Sequence, residues 1–267
     1  AGTDTAGLGA IDVVLGLSVA SYADPGPAPT APGSPRFRRV AACHEPQLKE
    51  LLARGRIAYF CPHPGGPVMP KQGYECVPIT EPQILAGELA PDKYPVLVFW
   101  GGPNWLQLMS QPDACTAKVK DFLRAGGGFV GFCGGMNYAL DTGLIHASVT
   151  ATTNVGEHLM SFSDTHPVTR QAVPVDPGTG RRLCPVMRWN GYWVRGEPGP
   201  GVTAFGWIED LPGRPATMIE ARFGNGRVVV SGAHPECGDE LLVPGDQQVN
   251  RNLLRNMILF AADALKH

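Results

Sequence analysis

The chain has 267 residues, of which 43% are hydrophobic and only 17% charged. That is enough apolar material for one α/β domain with extensions or for two small domains. Its 22 Lys and Arg nearly balance 24 Asp and Glu, so charge gives no reason to expect a nucleic-acid or polyanion partner, and a small or uncharged substrate fits best.

Residues 1–22 carry no pattern, and Asp24–Pro35 alternates Pro with small residues, as an extended linker does. A Pro/Gly-rich N-terminal extension is therefore expected over 1–36 and a compact domain over 37–267. Glu45–Arg54 reads as a helix with Leu48, Leu51 and Leu52 on one side, and Arg56–Phe60 as a strand. Val96–Trp100 is a continuous apolar run, the pattern of a strand buried on both faces, and it ends in Gly101-Gly102-Pro103. A helix over 114–125 stops at Gly126–Gly128, and the strand Phe129–Phe132 runs directly into Cys133. Strand, helix and strand joined by tight glycine turns indicate a parallel sheet. Residues 150–215, rich in Pro, Gly and turn residues, read as less regular. Beyond them Ala216–Phe223 and Arg227–Ser231 flank an Asn225-Gly226 hairpin signal. A helix over Gln247–Leu265 closes the domain, with Leu253, Leu254, Met257, Ile258 and Phe260 available for packing.

Two segments carry chemistry. Gly131-Phe132-Cys133-Gly134-Gly135 places a thiol at a strand-to-helix turn, where small neighbours suit a crowded backbone. The following helix N-terminus favours a thiolate, and backbone N–H groups at the turn can hold an oxyanion. A buried cysteine in a glycine-rich turn is the plain alternative. Ser231-Gly232-Ala233-His234-Pro235-Glu236 follows a second strand, so His234 and Glu236 can project toward one site as base and orienting acceptor. Alone it reads as a loop histidine beside a surface glutamate; with an elbow cysteine, the catalytic reading is the stronger.

Together these segments resemble the Cys-His-Glu triad of class I glutamine amidotransferases. More narrowly, residues 94–236 resemble the amidotransferase-like domain at the N-terminus of some biotin–protein ligases, through Val96–Pro103, Ala125–Ala139, Arg188–Tyr192 and, most specifically, Gly224–Glu236. The resemblance implies a flavodoxin-like parallel sheet flanked by helices. It implies Cys133 attacking an amide or acyl carbon to form a thioester, with His234 moving protons and Glu236 orienting it. Gly101, Gly102 and Gly134 match the oxyanion-hole positions, an ordinary turn being the alternative for the first two. The chain carries no synthetase or ligase module after the domain, so a synthase or acceptor subunit, or a different substrate, is implied. Biotinylation is not.

Asn104 and Trp105, and Trp189, Asn190 and Tyr192 from Arg188–Trp193, are candidate substrate-binding residues; core or turn packing is the alternative for the aromatic segment. Asn137 or Tyr138, within a turn of Cys133, is a further candidate. Seven cysteines form no CxxC, and neither Cys61/His63 nor Glu157, His158 and His166 show metal-ligand spacing, so no metal and no cofactor are expected. Cys237 is near enough in sequence to the triad for a regulatory disulfide with Cys133. No stretch reaches the roughly 18 apolar residues of a membrane span; a soluble, cytoplasmic protein is favoured, with export left open. A second reading keeps the fold as a non-catalytic ligand-binding or interaction module.

Overall fold

In chain order, the computed structural model has α1 at Glu45–Arg54, β1 at Ile57–Phe60, β2 at Cys76–Ile79, α2 at Glu81–Leu85, β3 at Val96–Phe99, α3 at Trp105–Leu108 and α4 at Pro112–Arg124. There follow β4 at Gly128–Phe132, α5 at Gly134–Asp141, β5 at Val149–Ala151, β6 at Val155–Phe162, α6 at Pro167–Arg170, β7 at Arg182–Trp189 and β8 at Tyr192–Val194. The last elements are β9 at Val202–Ile208, β10 at Ala216–Phe223, β11 at Gly226–Ser231, a 3-10 helix at Pro235–Glu240 and α7 at Pro244–Ala261. The structure describes residues 37, 40–60, 76–102, 105–151, 155–240 and 244–265. The expected extension over 1–36, Cys61, His63 and Asn104 lie outside them.

Nine strands form one sheet in the order β2-β1-β3-β4-β11-β10-β9-β6-β7. The first five are parallel, as the continuous apolar runs predict: every residue of β1, β3 and β4 is buried, because helices cover both faces. In α4 the buried residues Cys115, Val119, Phe122 and Leu123 recur at helical spacing and form its sheet-facing stripe. The α4 N-terminus is capped from a distance: the Glu81 carboxylate accepts the N–H groups of Ser110 (2.8 Å) and Gln111 (2.5 Å). Phe99 is fully buried, stacks on Phe60 (4.7 Å) and meets Tyr138 at a tilt (4.4 Å), locking α5 over β1 and β3.

Residues 150–215, which read from sequence as less regular and without assigned elements, contain β6, β7, β8 and β9. β10, β9, β6 and β7 extend the sheet antiparallel. Pro185 inside β7 argues against a strand in sequence, yet β7 is the sheet edge, where a missing N–H is tolerated. This antiparallel half curls back over the parallel half. The His234 N–H, just past β11, donates to the Met187 carbonyl on β7 at 2.7 Å, although β7 is four places away in the sheet.

α7 holds the curl with buried amides. Asn250 donates to the Pro185 carbonyl (3.0 Å), Asn256 to Val168 (2.9 Å) and Asn252 to Ala41 (2.9 Å). Each satisfied buried bond contributes about 1 kcal/mol and leaves a costlier orphan if one partner is lost. Among the described residues, no helix is long and apolar enough to cross a membrane.

Candidate active site

Cys133 sits between β4 and α5 at φ 46° and ψ −105°, a conformation that L residues rarely adopt. It persists because its surroundings over-determine it. The Cys133 N–H donates to the Ser231 carbonyl (2.8 Å), and its carbonyl accepts the Asn137 N–H (3.0 Å). The glycines on either side are steric necessities. A Cβ at Gly131 would lie 2.6 Å from the Gly135 carbonyl oxygen, and one at Gly135 would strike the Phe99 carbonyl. Strain of about 1–3 kcal/mol is outweighed by the aromatic cluster around Phe99, where each buried side chain contributes roughly 1.5–3 kcal/mol.

Ser231 ends β11 and shapes the bend that follows: its hydroxyl donates to the Ala233 carbonyl (2.8 Å) and accepts the Ala233 N–H (3.1 Å). The bend turns His234 inward, where it is 4% exposed. His234 Nδ1 lies 2.7 Å from Glu236 Oε1, and Nε2 lies 3.3 Å from the Trp189 carbonyl oxygen. Both partners are acceptors, so the ring that satisfies both is the imidazolium. Burial opposes that charge, but the Glu236 carboxylate and side-chain bonds to Cys133, Cys237 and Glu236 prevail, holding His234 well above the usual histidine range.

The thiol shares the same carbonyl. Cys133 Sγ donates toward the Trp189 oxygen at 3.5 Å and the Asn190 oxygen at 3.8 Å. The Trp189 ring meets the His234 ring edge-on at 5.3 Å. The Tyr192 hydroxyl is pushed up by burial and by the charges of Cys133 and Asp141. The fold thus brings Trp189, Asn190 and Tyr192 to the Cys133–His234–Glu236 cluster. Gly134 is buried as the first residue of α5, whose leading N–H groups have no intrahelical partner.

Gly101 faces the cluster: a Cβ there would sit 2.5 Å from His234 Cε1 and 3.6 Å from Cys133 Cβ. Gly101→Ala is therefore expected to displace the imidazole and cut any Cys133-dependent turnover about 100-fold, the scale of a 1 Å misplacement, with the fold retained. A steady-state rate beside a circular dichroism melt checks this. Gly102 packs on Trp105, and here the structure corrects the expectation of a substrate-facing tryptophan. Trp105 is 5% exposed, packs edge-on against Phe60 and Phe99, and donates its indole N–H to the Trp100 carbonyl (3.0 Å). Tyr138 likewise lies in the core, and Asn137 pairs with Asp141 (3.0 Å).

Sequence reading missed what aligns the two halves. A Cβ at Gly191 would strike the Gly232 carbonyl, and one at Gly232 the Tyr192 carbonyl; the two backbones cross in contact, and Thr217 fixes the crossing by donating to the Tyr192 carbonyl (2.7 Å). It also missed that His234, Glu236 and Cys237 offer ligand atoms all within 4.8 Å of one another, a spacing that a cation could bridge. The other candidates do not converge. His158 pairs with Asp210 (2.9 Å), and His166 stacks on Phe205 in the core, where burial and Arg227 lower it to about 4. The six described cysteines form no disulfide with one another.

No family model matches the chain, and no curated protein matches it. Solved structures do. One is a glutamine amidotransferase from Thermotoga maritima, at 16% identity and a TM-score of 0.53, covering 79% of this chain and 99% of that one. Another is PurLQS from Thermotoga maritima, at 14% identity and a TM-score of 0.54, covering 78% and 99%. At these identities the likeness establishes a shared α/β fold, a mostly parallel sheet core flanked by helices.

Proposed function

We propose that the chain is a cysteine-dependent amidohydrolase or amidotransferase acting on a small amide or acyl substrate. The observation that carries this reading is a strained elbow cysteine beside a buried histidine whose far nitrogen is held 2.7 Å from a carboxylate. Structural neighbours that include a glutamine amidotransferase favour the same chemistry. The resemblance of Gly224–Glu236 to the N-terminal domain of biotin–protein ligases narrows the subfamily but not the substrate.

In this reading Cys133 reacts as the thiolate partner of the His234 imidazolium, and the sulfur attacks the acyl carbon. N–H groups at Gly101, Gly102 and Gly134 receive the developing oxyanion. The carbon–nitrogen bond breaks as the imidazolium protonates the leaving amine, leaving a thioester on Cys133. Water or an acceptor amine then adds, His234 takes its proton, and the carbon–sulfur bond breaks. Glu236 keeps Nδ1 protonated and Nε2 facing the sulfur. Trp189, Asn190 and Tyr192 wall the substrate, and a synthase or acceptor subunit receives the ammonia where one is used.

An electrophilic amide analogue, such as a chloroketone, should label Cys133 before the other cysteines, as read by peptide mass spectrometry. Labelling spread evenly over exposed thiols would sink the reading. One observation favours a second reading, a non-catalytic binding or interaction module: the Trp189 and Asn190 carbonyls stand against the sulfur. A Cys133 that stays unlabelled in the folded chain, yet reacts on unfolding, would select it.

A further inference from the structure

Among the described residues, Arg188 is the one arginine whose whole guanidinium is buried without a hydrogen bond. Its side chain is 0% exposed, and none of its three guanidinium nitrogens has a hydrogen-bond partner. It belongs to the inward row of β7 with Cys184 and Val186, both fully buried. The residue directly across the strand pair is Gly156, which offers no side chain to meet it. The Trp193 ring lies 4.4 Å from the guanidinium; a ring face attracts a cation but accepts none of its five N–H donors. Asp210 is felt as a charge but bonds His158 instead. Burial lowers the Arg188 proton affinity only to about 10, so the group stays charged at neutral pH.

A buried cation without an acceptor is among the costliest arrangements in a protein, and structures that keep one supply its partner from outside. The position says which partner. Arg188 stands between Met187, whose carbonyl takes the His234 N–H, and Trp189, whose carbonyl faces both Cys133 Sγ and His234 Nε2. Its charge and that of Cys133 act on each other. We infer that Arg188 is the recognition residue for a carboxylate carried by the substrate of Cys133, held by a two-point guanidinium–carboxylate bond. The substrate class is then an amide or acyl compound with an anionic arm. Neutral carboxamides lack the group that the guanidinium requires, and their discrimination follows from that unmet bond. This rests on the proposed nucleophilic role of Cys133.

The test is alkylation of Cys133 in the full chain by iodoacetate and by its neutral isostere iodoacetamide, read on the Cys133 peptide by mass spectrometry. The iodoacetate-to-iodoacetamide rate ratio should exceed that of free N-acetylcysteine at least tenfold. R188Q should return it to the free-thiol value, with R188K in between. A wild-type ratio equal to that of the free thiol, or one unchanged in R188Q, overturns the inference while Cys133 remains a nucleophile. Reaction with neither reagent would instead remove the nucleophile itself. Should R188Q not fold, the wild-type chain suffices: succinamate should slow iodoacetamide at Cys133 at least fivefold more than succinamide does, and equal protection refutes the assignment. Acetate should suppress the iodoacetate preference more than inorganic phosphate does; the reverse order would overturn the choice of carboxylate.

Discussion

Cys133→Gly is expected to destroy turnover and to stabilise the protein. The sulfur is the proposed nucleophile, so its loss should lower turnover on the order of 10⁴-fold or more, as removal of a nucleophile does in comparable sites. The backbone at φ 46°, ψ −105° is strained for cysteine and open to glycine. Relief of about 1–3 kcal/mol of strain, less the roughly 0.5–1 kcal/mol of extra chain entropy that glycine loses on folding, leaves a net gain of about 1 kcal/mol. At this chain length that raises Tm by about 2–4 °C. Cys133→Ala keeps the strain and should lose turnover with Tm unchanged. Calorimetry on the two variants beside an ammonia-release assay checks both halves. A Cys133→Gly protein that melts below wild type would mean that the elbow is not the strained element.

Glu236→Gln should lower turnover about 10²- to 10⁴-fold, because the amide cannot stabilise the imidazolium and no longer dictates which nitrogen carries the proton. The same substitution should alter stability with pH. His234 is held well above its ordinary 6.5 by Glu236 and its other partners. A histidine raised on folding contributes stability fully below the unfolded value and loses it as pH rises through the folded value. Glu236→Gln removes the main attractive charge, so the wild-type advantage in Tm should be present below pH 6.5 and shrink as pH rises through the folded His234 value. Melting curves across that range in one buffer series provide the measurement. A gap that widened with pH would contradict the assignment.

The parallel half of the sheet was legible because its strands are covered on both faces. Val96–Phe99 and Phe129–Phe132 appear as unbroken apolar runs, with glycine turns marking their ends. The hairpin of β10 and β11 was legible from the Asn225-Gly226 pair between two β-like runs. The antiparallel half was not, because β6 and β9 are only partly covered and their burial follows the curl of the sheet rather than a two-residue period. Pro185 and Gly206 add breaks that only the edge position and the close approach of Met160 and Met218 explain.

The site divides in the same way. Cys133 and the His234–Glu236 pair were readable because strand ends place side chains at the sheet's C-terminal edge, where local sequence suffices. Trp105 was named for its place just past Gly102-Pro103, and position alone does not show the bond to its own chain five residues back that holds the ring in the core. Arg188 was read only as part of an aromatic segment. Nothing local in the sequence signals a buried guanidinium; its place opposite Gly156 and over the Trp193 ring is set by the fold.

The most direct measurement is an acid quench of the wild-type chain during turnover of a carboxylate-bearing amide, followed by mass analysis of its peptides. An acyl group on the Cys133 sulfur, absent in Cys133→Ala and accumulating when the acceptor or water step is slowed, is the predicted result. Turnover that continues in Cys133→Ala, with no acyl adduct at residue 133 in wild type, would contradict it.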